Sequence, residues 1–285
     1  MYVIVDRREL TKRDMISLTL EAPQIARKIV PGQFVVVRVN ETGERVPLTV
    51  AYRDTATGTI TIIFQVVGKS TALLASLGVG DAVKDLCGPL GAPVTFKKIG
   101  TVVGIGGGSG IAVLHHLLIG HKEAGNRLIV ILGARSKNLL VFENEMRALA
   151  DELIVCTDDG SYGRKGLVTE PLKELCGGVP KPDMAFVIGP PIMMRACCEA
   201  TRPFAVKTMV SLNAIMVDGT GMCGGCRVTV GGQTKFTCVD GPEFDGHLVD
   251  FDNLMQRLRA YKPQEEESHH KCHLEMEAQR KAGAL

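Results

Sequence analysis

The chain has 285 residues, enough for two domains, or three if one is small. Its 33 Lys and Arg against 31 Asp and Glu leave a formal charge of +2, spread along the chain without the basic stripe that a nucleic-acid surface needs. At 45% hydrophobic and 22% charged it can bury a sizeable core, and glycine or charge breaks every apolar run well short of the roughly 18 residues of a membrane span. No nucleic-acid or membrane partner is therefore expected. Asp6, Arg7 and Arg8 follow the first apolar residues, whereas a signal peptide puts its charges ahead of an apolar stretch, so a first strand and a cytoplasmic protein are expected. Nine cysteines are an odd number in a chain too long for a small disulfide scaffold, which points to reduced thiols.

Residues 1 to about 97 have a β texture. Strands are predicted over 34–39 and 59–64, with turns at Pro31-Gly32 and at 56–58, a spacing that suits a small antiparallel barrel. A β segment at 45–49 puts Arg45, Pro47 and Thr49 on one side; Arg45 there is either an edge charge or a cation for a ligand. Gly68, Lys69, Ser70 and Thr71 look like the end of an ATP-binding phosphate loop, but Ile63 stands where its first glycine is required, so ATP is rejected. These residues still open a helix, predicted over 70–77, whose amides can hold a phosphate of another nucleotide.

From about Ile99 strands alternate with helices: strands at 102–105, 128–132, 154–157 and 184–188, helices at 111–123, 143–153, 168–175 and 192–200. That alternation implies right-handed βαβ units and a parallel sheet. Gly104 leads through Ile105 into Gly106, Gly107, Gly108, Ser109 and Gly110, between a strand and a helix, where glycine admits a pyrophosphate to the backbone. The strict G-x-G-x-x-G spacing fails, because Ser109 and Ile111 fall where the last glycine belongs; the rival reading is a plain tight turn. After the next strand come Arg135 and Lys137 with no acidic residue for a ribose hydroxyl, leaving either a 2′-phosphate contact or ordinary solvated cations. Asp158 follows the third strand, and Gly189 and Pro190 the fourth, at the ends where ligand loops lie.

Residues 204–250 carry the strongest signal. Asp218, Cys223 and Cys226 have the spacing of a plant-type [2Fe-2S] loop, C-x4-C-x2-C, with aspartate in the first place and Cys238 further on. Interspersed glycines let the backbone wrap a cluster, and a carboxylate oxygen of Asp218 is the simplest fourth ligand. The rival is zinc on Cys223, Cys226, Cys238 and His247, in a binding module without redox chemistry. The tail, 251–285, is helical in composition and is either a solvated helix or a contact for a partner subunit. The expected division is thus a barrel domain at 1–97, an α/β nucleotide domain at 98–203, a cysteine-loop region at 204–250 and a helical tail at 251–285.

In that order these parts resemble the ferredoxin–NADP reductase superfamily. The likeness covers the chain to about residue 250 and is greatest to the electron-transfer subunits of dihydroorotate dehydrogenase and the small subunit of NADH-dependent ferredoxin–NADP oxidoreductase (Nfn type). The superfamily's FAD segment, R-x-[YP]-[SL]-[ST], is similar to Arg45, Val46, Pro47, Leu48 and Thr49. Its diphosphate contact resembles Gly68 to Thr71, its G-P-L-G turn matches Gly88 to Gly91, its nicotinamide-nucleotide loop matches Gly106 to Ala112, and its G-P-x-x-M-M segment matches Gly189 to Met194. Val113 stands where a proline commonly follows that loop, and Ile188 where a cysteine often precedes the final G-P. Asp218 with three cysteines resembles the Nfn-type subunit, as does the tail with His269, His270 and Cys272; the dihydroorotate type usually has four cysteines.

The resemblance implies an oxidoreductase subunit that relays electrons between NAD(P)H, FAD and a [2Fe-2S] cluster, with Thr49 hydrogen-bonding the flavin. It also implies a larger flavin and [4Fe-4S] partner that bifurcates electrons towards ferredoxin. No catalytic side chain is assigned, because hydride transfer between cofactors needs no acid or base. A subunit of dihydroorotate dehydrogenase or of a sulfide dehydrogenase is the rival within the same chemistry.

Overall fold

A computed structural model describes residues 1–11 and 15–281; the last residues of the expected tail, 282–285, lie outside the described residues. Seven strands form the first sheet: β1 (Tyr2–Thr11), β2 (Met15–Glu21), β3 (Phe34–Arg38), β4 (Arg45–Asp54), β5 (Thr59–Gln65), β6 (Ala82–Val83) and β7 (Asp85–Leu90). Helix α1 (Pro23–Lys28) joins β2 to β3, and α2 (Lys69–Ala75) joins β5 to β6. The order β6-β1-β2-β5-β4-β3-β7, antiparallel throughout, makes a nearly closed barrel. β3 shows why its run is so apolar. Strand side chains alternate, so Val35 and Val37 enter the barrel core with Leu18, Ile60 and Ile62. Phe34 and Val36 enter a different core, shared with the second sheet and with Cys226 and Cys238.

The second sheet is built from β8 (Thr101–Gly107), α3 (Gly110–Glu123), β9 (Arg127–Ala134), α4 (Glu143–Leu149), β10 (Glu152–Thr157), β11 (Arg164–Lys165), α5 (Thr169–Gly177), β12 (Met184–Ile188), α6 (Pro191–Thr201) and β13 (Lys207–Ser211). The hairpin β14 (Arg227–Val230) and β15 (Gln233–Phe236) follows, then α7 (Thr237–Asp240) and β16 (Glu243–Asp245). The strand order is β11-β10-β9-β8-β12-β13-β16, parallel except for β16, which pairs antiparallel with β13. Residues 204–250 therefore extend the parallel sheet at its edge as well as carrying the cysteine loop.

The predicted helix boundary that moves most is the end of α4. The helix expected over 143–153 ends at Leu149, because the Asp151 carboxylate accepts from Leu128 N–H at 2.8 Å and Lys122 Nζ at 2.8 Å, tying the chain to β9 and starting β10 early. In the tail, α8 (Phe251–Leu258) is capped by Asp250, which accepts from Asn253 N–H at 2.9 Å, and buries Phe251 and Leu254. Helix α9 (Lys262–Lys281) lies against α2, with Cys272 buried. Among the described residues no helix is long and apolar enough to cross a membrane.

Helix α3 is wedged between the two sheets. Ile111, Leu114, Leu117 and Leu118 pack against Ala51 and Ile63 of the barrel and against Val102, Leu128 and Val130 of the parallel sheet. Burial on both sides explains its poor amphipathicity and encloses His115, His116 and His121. The Tyr52 hydroxyl lies 3.2 Å from His115 Nδ1 across the domain boundary. Among the described residues neither ring nitrogen of His116 makes a well-formed hydrogen bond, and burial, helped by neighbouring His115 and Arg53 and opposed by the Ala51 backbone, lowers its pKa to about 4. A histidine charged only when unfolded removes stability as pH falls below its ordinary value near 6.5, at about 1.4 kcal/mol per pH unit. We expect roughly 3 kcal/mol to be lost between pH 6.5 and 4 through this residue. Denaturant melts over that window should show a clearly shallower pH dependence in His116→Leu; an unchanged slope would contradict the assignment.

Candidate functional site

In the parallel sheet the chain runs outwards from β8 through β9 in one direction and through β12 in the other. Ligands bind where an open sheet reverses its order, beyond the carboxyl ends of the strands. Those ends are the glycine loop after β8 and Gly189-Pro190 after β12, in register through Gly106 and Ile188. The two loops touch. A Cβ on Gly110 would lie 2.6 Å from the Ile188 carbonyl oxygen and 3.0 Å from Gly189 N.

Over this crevice the barrel closes a cavity of about 570 Å³. β4 contributes Pro47, Leu48 and Thr49 to its wall, α2 contributes Thr71, the glycine loop contributes Gly107, Gly108, Ser109 and Gly110, and β12's loop contributes Gly189 and Pro190. Among the described residues the Thr49 hydroxyl has no protein partner, so it is available to a ligand. Most of the far wall is Ser211, Leu212, Asn213, Ala214 and Met216, which composition and motif did not single out. Their one sequence signal is position: they immediately precede Asp218.

The remaining candidates lie outside that wall. Arg45 is exposed at the start of β4. At the head of α2, Thr71 Oγ1 accepts from the amides of Val67 and Gly68 at 3.0 and 3.1 Å, and Ser70 donates to Glu44 at 2.8 Å. Lys69 precedes them in the first turn. Gly88 lies in β7, where a Cβ would meet Val35 at 2.7 Å, and Gly106 lies within β8, where one would meet Ile111 and Leu114. Arg135 and Asp158 flank the crevice, one after β9 and one after β10; the Asp158 amide donates to Ala134 at 3.1 Å. Beside them Lys137 Nζ lies 4.8 Å from the Tyr162 ring centre. Among the described residues the Arg135 guanidinium has no carboxylate partner.

The cysteine loop continues directly from the cavity wall. Asp218 Oδ1 accepts from Thr220 N–H at 2.9 Å and Oδ2 from Cys223 N–H at 2.8 Å. These amides, Thr220's first, hold the carboxyl below its ordinary range and so keep it an anion. Gly219, Gly221 and Gly224 have positive φ, and a Cβ on Gly219 would strike Leu90 of the barrel at 2.8 Å. Cys223 is exposed, while Cys226 and Cys238 are buried with their sulfurs 3.2 Å apart. Burial, reinforced by Cys226, pushes the Cys238 thiol up to about 12. Among the described residues no three metal-ligating side chains converge on a single ion, and His247 is turned to Thr201, its Nε2 3.0 Å from Oγ1. The fourth residue of the rival zinc set, His247, is thus engaged by Thr201. Cys226 and Cys238 meet sulfur to sulfur, and Asp218 is tied to Cys223 through the Cys223 amide, an arrangement compatible with a two-iron cluster, which takes its protein ligands pairwise.

Residues 213–250 match the family model for the iron-sulfur cluster binding domain of dihydroorotate dehydrogenase B. A dihydroorotate dehydrogenase B (NAD(+)) electron transfer subunit homolog of Thermotoga maritima is 47% identical, over 90% of this chain and 90% of its own length. The electron transfer subunit of Desulforamulus reducens is 36% identical, over 81% of this chain and 91% of its own. The chain belongs to the dihydroorotate dehydrogenase B electron-transfer subunit family, within the ferredoxin–NADP reductase superfamily. A solved structure from work on flavin-based electron bifurcation by the NADH-dependent reduced ferredoxin-NADP oxidoreductase superposes on it with a TM-score of 0.89, at 44% identity, covering 95% of this chain and 97% of the other. The family's barrel, nucleotide sheet and cluster loop are thus all present here, in the expected order.

Proposed function

We propose that the chain is an oxidoreductase subunit that binds FAD in the 570 Å³ cavity, NAD(P)H at the crevice beside it and a [2Fe-2S] cluster on the loop beyond. The observation that carries this reading is one segment: Met216 lines the cavity and Asp218, the first ligand, follows two residues later. Two residues span at most about 7 Å, so cavity and cysteine loop are neighbours by covalent necessity. When bound, the flavin supplies exchange of electron pairs with a nicotinamide and of single electrons with a cluster.

The chain's residues hold, orient and insulate. Pro47 and Leu48 give the cavity an apolar wall that excludes water, and the free Thr49 hydroxyl orients the flavin. Arg45 supplies positive charge to the diphosphate, as do the first-turn amides of Lys69 and Ser70, which lack intrahelical acceptors. Gly68 and Thr71 fix that turn, and Gly88 lets β7 lie close on Val35. Gly106, Gly107, Gly108, Ser109 and Gly110 admit the nucleotide, Gly189 and Pro190 bound it, and Asp158 and Arg135 lie at its far end. The unpaired Arg135 leaves room for a 2′-phosphate, whereas the relatives from Thermotoga maritima and Desulforamulus reducens are named for NAD(+). Asp218, Cys223, Cys226 and Cys238 are the cluster ligands.

Electrons leave through a partner. Val217, Met222 and Val239 are exposed apolar side chains in and beside the cysteine loop, the kind of surface another subunit covers. We place there a larger catalytic subunit, of the flavin and [4Fe-4S] type in an electron-bifurcating assembly that reaches ferredoxin. Asp218 and the full-length similarity to the bifurcating enzyme favour this over a dihydroorotate or sulfide dehydrogenase. Nine cysteines without a disulfide suit the cytoplasm. Anaerobic purification from the native host should yield about two irons and two sulfides per chain, stoichiometric FAD and a co-eluting larger flavoprotein. Zinc in place of iron and sulfide would overturn the proposal.

A further inference from the structure

A second cavity, of about 490 Å³, opens at the other end of the parallel sheet. Its walls include Val94 and Lys97 of the linker, His121 of α3, Met184 and Lys207 at the starts of β12 and β13, and Glu243 of β16. Electron transfer as proposed above makes no use of it. Glu243 stands between this cavity and the flavin-side one. Its Oε1 is 3.2 Å from the Oγ of Ser211, a residue of the first cavity's wall, and Ser211 and Glu243 are direct partners in the β13–β16 register. Its Oε2 is enclosed near Gly32 and has no partner among the described residues. A carboxyl oxygen buried without a partner is costly, so its persistence between two cavities calls for a function. Burial pushes the Glu243 carboxyl up to about 8, the Ser211 hydrogen bond opposing, so at neutral pH it is an acid with a proton to give.

We infer that Ser211 and Glu243 form a proton relay between the flavin-side cavity and the second cavity. The inference rests on the electron-transfer reading. A hydride taken from NAD(P)H is two electrons and one proton; once the electrons have left singly, that proton must leave the first cavity. Ser211 Oγ accepts it while passing its own hydrogen to Glu243 Oε1; the carboxyl of Glu243, which lines the second cavity, then turns to bring the enclosed Oε2 and its hydrogen out to water there. One proton enters and one leaves, and rotation of the carboxyl resets the pair; the reverse sequence supplies the proton for NAD(P)+ reduction. The other titratable groups facing Glu243 are Lys97 from the linker, Lys207 from β13 and His121 from α3, the last with its pKa lowered by burial. Among the described residues none of them forms an ion pair with it, so no fixed cation holds the carboxyl as a permanent anion and it can carry a proton.

The test uses the FAD- and cluster-loaded protein, mixed in stopped flow with NADH and a one-electron acceptor in weak buffer containing a pH indicator. In Glu243→Gln, which keeps the shape and an oxygen for Ser211, FAD content should be unchanged and bleaching by NADH should persist. Proton release should slow by about 100-fold, and its pH profile should lose the inflection near 8. Ser211→Ala should slow release in the same way. Infrared spectra at pH 7 should show a protonated carboxyl band that Ser211→Ala retains and Glu243→Gln lacks, a readout independent of turnover. Unaltered proton release in both variants, or no such band in the wild type, would overturn the relay. Wild-type protein that carries no FAD would instead overturn the electron-transfer reading, and the relay with it.

Discussion

Replacing Cys226 with serine should abolish the visible cluster bands and cut NAD(P)H-driven reduction of a one-electron acceptor by at least about 100-fold, while flavin bleaching continues. The size follows from position. Cys226 is buried, its sulfur lies 3.2 Å from that of Cys238 and accepts from the Cys238 amide at 3.4 Å. Losing it removes a ligand outright, which exceeds the 10–100-fold penalty typical of losing a supporting contact at a metal site. Asp218→Cys should behave differently, keeping iron and sulfide but shifting the cluster potential, because a hard oxygen donor is exchanged for a soft thiolate. The amides of Thr220 and Cys223 that now fix the carboxylate remain in place to receive the thiolate's charge. Iron and sulfide analysis with a redox titration checks both variants. Undiminished iron in the serine variant would show that the metal lies elsewhere.

How much of this was legible in the sequence depends on how far each signal reaches. The D-x4-C-x2-C spacing, the glycine loop after β8 and the β segment from Arg45 to Thr49 are local, because ligand spacing and backbone conformation are fixed within a few residues. They could be read directly, and the structure brings Thr49, the glycine loop and Gly189-Pro190 to one cavity. Helix α4 was drawn too long because the residue that ends it, Asp151, is held by Leu128 and Lys122, more than twenty residues away in the chain. Nothing in the pattern of α3 announced that its histidines would be buried, since only the closure of the barrel on the sheet covers its second face. The Ser211–Glu243 contact is a register fact between the edge strand β16 and its neighbour β13, separated in the chain by the whole cysteine loop.

That separation also explains how the molecule is wired. A single excursion leaves the parallel sheet after β13, lines the 570 Å³ cavity, turns through the cysteine loop and returns as β16 to the same edge. The sheet therefore anchors both ends of the segment that carries the proposed electron path. A shift of that edge would disturb the cavity wall and the cysteine loop together.

Gly110→Ala should weaken nicotinamide-nucleotide binding by at least about tenfold while FAD is retained. The added Cβ would meet the Ile188 carbonyl oxygen at 2.6 Å and Gly189 N at 3.0 Å, both backbone atoms that cannot rotate away. Overpacking of this kind costs about 1–3 kcal/mol, and 1.4 kcal/mol is a factor of ten in affinity. The strain falls where the loops after β8 and β12 touch, so relieving it parts the two loops proposed to bound the nucleotide. Gly108→Ala is the comparison. Nothing lies within 4 Å of its Cβ, so its only penalty is the positive φ of 59°, and nucleotide binding should fall less than in Gly110→Ala. Nucleotide titrations and thermal melts of the two variants distinguish the effects. A Gly110→Ala protein that melts lower yet binds NAD(P)H normally would show that the close approach serves packing alone.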